Sequence, residues 1–156
     1  ERGGSTGSNA AQQVGLHRVK NLAKLTPKEG GTLLDDTSFQ RKLNETEIQL
    51  ESIQYTEFRL MAALAKGESP GPESSVLKTL SADIQQQLTE LSVEAIAEFA
   101  AAHQPEARTV GADTVSIGHD DGKMAFTQYF NLRASSIAGG TNEVQKNIVA
   151  KMVLGL

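Results

Sequence analysis

The sequence from residue 129 to residue 156 reads YFNLRASSIAGGTNEVQKNIVAKMVLGL and places a glycine pair immediately before a helix start. Thr141 can cap this helix, and Asn142 lies in its first turn. The first N–H groups of a helix lack partners within the helix and carry the positive end of its dipole. Because Gly139 and Gly140 have no side chains, an anionic group could approach this backbone closely. The stretch therefore predicts a phosphate or pyrophosphate site, and a plain turn between two helices is the alternative.

Three long helices are predicted ahead of this stretch. The first covers about Ser8–Leu25 and ends before Pro27, because proline disfavours helical geometry in the residue that precedes it. The second begins after Asp36, which is a good capping residue. A break follows at residues 67–72, where the sequence is GESPGP. The third helix is expected over about 74–102.

The second helix carries a stripe of mostly apolar residues at alternating steps of four and three. Its positions are Phe39, Leu43, Thr46, Leu50, Ile53, Glu57, Leu60 and Leu64. Such a stripe is typical of a helix that buries one face against other helices. Glu57 is expected at the edge of the stripe, where it reaches water or a basic partner. The alternative for Glu57 is a polar contact across a subunit interface.

The third helix and the last segment complete the predicted core. The apolar positions of the third helix are Val76, Leu80, Ile84, Leu88, Leu91, Ala95 and Phe99. Its polar side, which includes the glutamines at 85–87, is expected either to pack on another subunit or to be solvated. Residues 103–123 are predicted to form a loop. The helix after the glycine pair is expected to turn Val144, Ile148, Val149 and Met152 towards the core. These segments together predict an all-α fold, an antiparallel four-helix bundle.

Composition excludes several classes of protein. The chain has 156 residues, enough for one domain, and a net charge of -4, which argues against non-specific nucleic-acid binding. It has no cysteine, so disulfides and thiolate chemistry are excluded and a reducing compartment is permitted. His17, His103 and His119 lie far apart in the sequence, which predicts no metal site. No apolar run is long enough for a membrane span and the first residues lack a signal-peptide pattern, so a cytoplasmic location is expected.

The stretch IAGGTNEVQKNIVAKMVLGL resembles the C-terminal signature of acyl-CoA dehydrogenases, in which I-x-G-G-T-N-E-[IV]-Q-[RK]-N-I begins the last helix. YFNLR, LDDTSFQRKL and SSVLKTLSADIQQQLTEL are similar to large subunits of heteromeric bacterial enzymes such as pimeloyl-CoA dehydrogenase. The resemblance implies that residues 1–156 form the C-terminal helical bundle of this family. The N-terminal helical domain and the middle β-domain of the family are absent from this chain.

The resemblance also implies a reaction, in which an acyl-CoA thioester is oxidised to the trans-2-enoyl-CoA. A carboxylate removes the α-proton and a β-hydride passes to FAD, whose electrons then go to an electron-transferring flavoprotein. The chain would act as part of a longer enzyme, and the fragment alone is expected to be inactive. Assembly into a homo- or hetero-oligomer through the bundle is expected, without nucleic acid.

Four positions of the signature carry over from the family to this sequence. Thr141, Asn142 and Glu143 match the segment that contacts FAD, and Gly140 matches a glycine on the substrate side. In many members a glutamate that acts as the base stands directly before the Gly-Thr pair. Gly139 occupies that place here, so the usual base is missing from it.

Other members place the base at the start of the bundle's first helix, directly before an arginine. The sequence opens with Glu1-Arg2 in the corresponding position. Glu1 is therefore the candidate base, and Arg2 is a candidate substrate-side or orienting cation. The alternative is that this pair is ordinary surface composition at a frayed terminus.

Two further FAD elements of the family are replaced in this sequence. The Arg-x-x-Phe-Gly segment late in the first helix is replaced around Leu25-Thr26-Pro27, and the Phe-Gly-Gly turn after the third helix reads Phe99-Ala100-Ala101. Their loss suggests that duties are divided between this chain and a partner. Two alternatives to an active enzyme remain open. One is a catalytically silent bundle that clamps FAD for a partner subunit, and the other is a helical adaptor without a ligand.

Overall fold

A computed structural model describes residues 8–111 and 113–156. The candidate base Glu1 and its neighbour Arg2 lie outside the described residues. Within these residues the chain is predominantly helical, which confirms the predicted all-α class. No described helix combines the length and the apolar character needed to cross a membrane.

The first helix, α1, spans Ser8–Leu25, as the position of Pro27 predicts. A hairpin follows in which Pro27–Lys28 (β1) pairs antiparallel with Gly31–Thr32 (β2). Gly30 adopts φ 82° between these strands, a left-handed conformation that glycine tolerates. No strand was expected from the sequence. Two residues of extended chain on each side of a turn are too short for an alternating pattern to show.

The second helix, α2, spans Thr37–Ala65 and begins as predicted, because the Asp36 carboxylate accepts a hydrogen bond from the Phe39 N–H at 2.9 Å. The first five positions of its stripe are buried, namely Phe39, Leu43, Thr46, Leu50 and Ile53. Further along, Glu57 and Leu60 are partly buried and Leu64 is exposed. The residues of the stripe therefore become progressively more exposed towards the end of the helix.

The third helix, α3, spans Glu73–Ile96 and is six residues shorter than expected at its end. Ala97 adopts φ 49° and ψ −127°, which breaks the helical hydrogen-bond ladder, and a 3₁₀ turn continues over Ala97–Ala101. Positive φ is costly for a residue with a Cβ atom, so only the tertiary fold imposes it here. The prediction of a helix to residue 102 is therefore wrong.

The buried face of α3 also differs from the prediction at its two ends. Leu77 is buried, whereas Val76 and Leu80 are 37% and 42% exposed. Ile84, Leu88, Leu91 and Ala95 are buried as predicted. Phe99 lies beyond the helix and is 42% exposed. Since a helix turns about 100° per residue, Leu77 replaces its neighbour on the face that meets α1 and α2.

The last part of the chain begins with α4 (Ala125–Asn131) and a 3₁₀ segment (Leu132–Ser136). After the glycine turn, α5 (Asn142–Val149) continues into a π-helical turn at Ala150–Leu154. α3 contacts α1 and α2, and it also contacts α4 and α5. α3 is therefore the central helix of the bundle.

Val144 and Met152 are 49% and 60% exposed, so the prediction that both face the core is wrong. Ile148 and Val149 are partly buried.

Residues 103–123 form the predicted loop, with short 3₁₀ turns at Pro105–Arg108 and Asp120–Gly122 within its described part. Gly122 is buried, and a Cβ atom at this position would lie 2.6 Å from Ile96 Cγ2. The loop therefore returns to the core at a glycine, which lets its backbone touch the end of α3.

Candidate functional site

The turn before α5 has the capped geometry that the sequence predicts. Thr141 is the N-cap with φ −62° and ψ 157°, and its hydroxyl accepts a hydrogen bond from the Val144 N–H at 3.3 Å. The Thr141 carbonyl accepts from the Gln145 N–H at 3.0 Å. This cap fixes where the helix begins and which way its first amides point.

Gly139 and Gly140 both lie in the left-handed region, with φ of 71° and 97°. A Cβ atom at Gly139 would have no neighbour within 4 Å, so this corner of the turn is open. A Cβ atom at Gly140 would lie 2.7 Å from Gln145 Nε2, whose amide folds back and donates to the Gly139 carbonyl at 3.1 Å. The pair is therefore needed for the backbone path, and one side of the turn is accessible to a ligand.

The donors at this corner suit an anionic group. Among the described residues, the backbone N–H groups of Gly140, Thr141 and Asn142 have no hydrogen-bond acceptor. They stand at the positive end of the α5 dipole. The Glu143 carboxyl has a lowered pKa, caused first by its own backbone N–H and then by the Thr141 hydroxyl. The Glu143 side chain therefore uses its own N–H and the Thr141 hydroxyl, and leaves the N–H groups of residues 140–142 available to an anion.

Asn142 is oriented towards α3 instead of towards the open corner. Its Nδ2 donates to Asp83 Oδ1 at 3.2 Å, and its Oδ1 accepts from Lys78 Nζ at 3.3 Å. Lys78 Nζ also donates to the Ser136 carbonyl at 3.4 Å, on the other side of the glycine turn. Sequence reasoning did not single out Lys78 or Asp83, because they lie about sixty residues before the turn and match no motif.

Arg133 of the YFNLR segment binds α3 and does not reach the glycine turn. Its Nη1 donates to Glu90 Oε1 at 2.7 Å, while Nη2 donates to the Gln86 carbonyl and to Thr89 Oγ1, each at 3.0 Å. The guanidinium carbon lies 4.6 Å from the centre of the Tyr129 ring. This segment therefore fastens the end of α4 to α3 and has a structural role.

Two segments at which the sequence departs from the FAD elements that the resemblance implies lie close together in space. Thr26 and Pro27 line a cavity of about 130 Å³ together with Phe99 and His119. The Thr26 hydroxyl donates to the Ala95 carbonyl at 2.5 Å, which fixes the end of α1 against the end of α3. This cavity lies at the opposite end of α3 from Lys78, so it is separate from the glycine turn.

Glu57 lies partly buried, in agreement with its expected place at the edge of the stripe. Burial raises the pKa of its carboxyl, and the nearby Asn9 amide opposes this shift. Asn9 Nδ2 nevertheless completes no hydrogen bond with the described residues. In the next turn of α1, Gln12 Nε2 donates to the Ser81 carbonyl and to Ser81 Oγ, both at 2.8 Å. A polar cluster therefore occupies the start of α1.

Within the described part of the chain, no three acidic, histidine or cysteine side chains converge in a way that would hold a metal ion. His119 Nε2 lies 3.3 Å from the Leu25 carbonyl, and the His103 ring packs edge-on against Phe126 at 6.3 Å. These two histidines therefore have local partners of their own, and His119 sits by the cavity at the end of α1.

The sequence model of the family described as "Acyl-CoA dehydrogenase, C-terminal domain" matches residues 5–154. No protein of curated function matches the sequence. The match to the family covers nearly the whole chain.

Solved structures show the same fold in larger chains. Butyryl-CoA dehydrogenase from Megasphaera elsdenii superposes with a TM-score of 0.72 at 15% identity, over 94% of this chain and 34% of that chain. The ChsE4-ChsE5 complex from Mycobacterium tuberculosis gives 0.69 at 25% identity, over 95% and 35%. A structure described as the FAD complex of PigA gives 0.73 at 19% identity, over 96% and 34%.

The chain thus spans about a third of the length of these solved chains. The alignments take in nearly all of this chain. On the family match from residue 5 to residue 154, this chain belongs to the acyl-CoA dehydrogenase C-terminal domain family.

Proposed function

We propose that this chain supplies the FAD-binding C-terminal bundle of an enzyme that oxidises an acyl-CoA thioester to the trans-2-enoyl-CoA. One observation carries the proposal: the family match coincides with an open, Thr141-capped glycine turn whose amides are unpaired among the described residues. The solved dehydrogenase of Megasphaera elsdenii acts on butyryl-CoA, and PigA was solved with FAD.

The residues of the turn fit a cofactor that carries a pyrophosphate. Three backbone N–H groups of the turn have no acceptor among the described residues, and the space beside Gly139 is open. A phosphate bound there gains charge-assisted hydrogen bonds and the favourable end of the helix dipole. Thr141 and Asn142 would contribute through this backbone, and the exposed Glu143 carboxylate would contact FAD away from its phosphates, because like charges repel.

The chemistry is divided between the cofactor and the chain. Bound FAD supplies the acceptor for the β-hydride. Glu1 takes the α-proton, and Arg2 orients the substrate or its carboxylate base. Gly140 would lie on the substrate side of the turn, as the resemblance implies. A dry pocket would raise the pKa of the base towards the working pH, which favours proton abstraction from an α-carbon.

The proposed assembly contains a second dehydrogenase-like chain. Phe99-Ala100-Ala101 and Leu25-Thr26-Pro27 replace two FAD elements of the family, and residues of both segments line one small cavity. The similar ChsE4-ChsE5 structure is itself a complex. The flavin would therefore lie between this chain and its partner, and an electron-transferring flavoprotein would reoxidise it.

The proposal is tested by replacing the candidate base in the full-length protein with its partners. Glu1→Gln keeps the shape of the side chain and removes the proton acceptor. Bleaching of the flavin absorbance by saturating acyl-CoA should slow by a factor on the order of 10³, within the range of a lost general base. Unchanged bleaching would show that Glu1 is not the base. A protein that never acquires flavin would contradict the whole proposal.

A second candidate function is favoured by Gly139, which stands where many members carry the base. In this alternative the bundle is catalytically silent and clamps FAD for an active partner. The two functions are separated by the same variant, because a silent module would bind FAD while Glu1→Gln left turnover unchanged.

A further inference from the structure

Lys78 and Asp83 fasten the glycine turn to the centre of the bundle. Lys78 Nζ donates to the Ser136 carbonyl at 3.4 Å and to Asn142 Oδ1 at 3.3 Å, so one ammonium group joins the two sides of the turn. Asn142 Nδ2 donates to Asp83 Oδ1 at 3.2 Å. All of these side chains are partly buried. The turn is therefore held from behind by α3.

We propose that Asn142 is a positioning residue, which with Lys78 and Asp83 orders the glycine turn for FAD instead of contacting the cofactor through its side chain. This inference rests on the proposed function of the turn. Both polar ends of the Asn142 amide are already used inside the bundle, which leaves its backbone N–H as the group available at the open corner.

The turn needs such a tether because of its glycines. Gly139 and Gly140 have more conformational freedom than other residues. The left-handed conformation that each adopts here is only one of several that a glycine can populate. Without a clamp, a ligand would have to order the turn itself, and the affinity would fall by that cost. Because hydrogen bonds to α3 hold both sides of the turn, the turn is ordered when the protein folds. FAD binding then does not have to supply the conformational entropy of ordering it.

Electrostatics favour the same conclusion. The Lys78 ammonium contributes to the lowered pKa of the Glu143 carboxyl, so its positive charge is felt at the turn. Asp83 receives the Asn142 amide on the side of the turn that faces α3. Lys78 thus places a positive charge near the amides that would meet a phosphate, and the Asp83 carboxylate offsets part of it.

A charge-conserving exchange tests this inference in the full-length, assembled protein. Asn142→Asp alone sets two carboxylates face to face, and FAD affinity should fall about tenfold or more, the equivalent of one lost charge-assisted hydrogen bond. Combining it with Asp83→Asn reverses the donor and the acceptor and keeps the net charge. The carboxylate now at position 142 can then accept from both Lys78 and the new amide at position 83, and the dissociation constant for FAD should return to within about threefold of the original value.

Two readouts are needed, namely equilibrium FAD binding and, without FAD, hydrogen exchange of the hydrogen-bonded amides that flank the turn, which are those of Ile137, Ala138, Val144 and Gln145. Asn142→Asp should speed this hydrogen exchange, and the double variant should restore it. Loss of FAD binding without rescue by Asp83→Asn would overturn the inference, because Asn142 would then act on the ligand directly. Unchanged affinity and hydrogen exchange in Asn142→Asp would overturn it as well.

A second variant covers the case in which Asn142→Asp does not fold. Lys78→Met removes the clamp across the turn and should weaken FAD binding about tenfold, whereas Lys42→Met removes a comparable lysine that pairs with Glu94 at 2.9 Å and should leave it unchanged. Equal effects of the two variants would contradict the inference. If the original protein binds no FAD, the proposed function fails, and hydrogen exchange still shows whether the tether orders the turn.

Discussion

At the scale of single residues, Arg133 shows how one side chain can hold two elements together. It donates to a carboxylate, a carbonyl and a hydroxyl of α3 while stacking on Tyr129. Lysine has the same charge but lacks the planar fork that makes these contacts at once. Arg133 therefore joins the two elements through the planar shape of its guanidinium group as well as through its charge.

We expect Arg133→Lys to lower the free energy of unfolding by about 1–3 kcal/mol, because it leaves partly buried acceptors of α3 without their donor. Urea denaturation measures this. The matched control is Arg41→Lys, since Arg41 makes an exposed pair with Glu45 one turn away at 3.0 Å, and pairs of this kind contribute little. Similar losses in the two variants would show that Arg133 acts through its charge alone.

Asp36 gives a prediction of pH dependence. Its pKa is lowered, first by the hydrogen bond from Lys28 and then by the Phe39 N–H. A carboxyl whose pKa is lower in the folded state stabilises the fold above its ordinary pKa of 3.8, and this contribution is lost as the pH falls through the folded value. The substitution Asp36→Asn removes the charge and keeps a side-chain oxygen that can still cap α2.

Asp36→Asn should therefore be less stable than the original protein near pH 5, and the difference should shrink as the pH falls below 3.8. Thermal unfolding of both proteins, at several pH values from about 5 to below 3.8, measures the difference in stability. Lys28→Met removes the partner and should reproduce most of the effect, since Lys28 is the largest cause of the shift. A difference that grows with acid would contradict the assigned pKa direction.

At the scale of elements, the register of α3 is the feature that sequence reasoning placed least well. Periodicity favoured Val76, Leu80 and Phe99 for the core, yet Leu77 is the buried residue near the start of the helix. Apolar residues lie on two neighbouring faces of this helix, and their spacing in the sequence does not show which face is buried. Contact with α1 and α2 on one side and with α4 and α5 on the other decides it.

We expect Leu77→Ala to cost about 2–4 kcal/mol of stability, because Leu77 is 1% exposed and its removal leaves a cavity. Leu80→Ala, at 42% exposure in the same helix, should cost less than about 1 kcal/mol. Urea denaturation of the two variants compares the faces directly. Equal costs would show that the face assigned to the core is wrong.

The beginnings of the helices were easier to predict than their ends. Asp36 and Thr141 cap α2 and α5 by local hydrogen bonds to the third residue along, and such bonds depend on neighbours in the sequence. The end of α3 at Ala97 has no local signal, since alanine favours helix and a positive φ is imposed by the surrounding fold.

At the scale of the whole molecule, cofactor binding should be visible as stability. A ligand that binds only the folded protein stabilises it by about 2.7 kcal/mol at a concentration one hundred times its dissociation constant. We expect FAD to raise the melting temperature of the flavin-free, full-length assembly. Riboflavin should raise it much less, because it lacks the pyrophosphate that the amides of Gly140, Thr141 and Asn142 would hold. Equal stabilisation by both would place the flavin's phosphates away from this turn.

The sequence by itself determined the helical class, the end of α1, the start of α2 and the capped glycine turn, because these depend on proline, capping side chains and spacing within one or two turns. The resemblance carried by residues 137–148 determined the family in the same way. Only the tertiary structure decided that Leu77 enters the core, that Val144 and Met152 do not, and that Lys78 and Asp83 hold Asn142. The physical reason is distance along the chain: these contacts join residues that no local pattern relates, and packing around α3 alone brings them together.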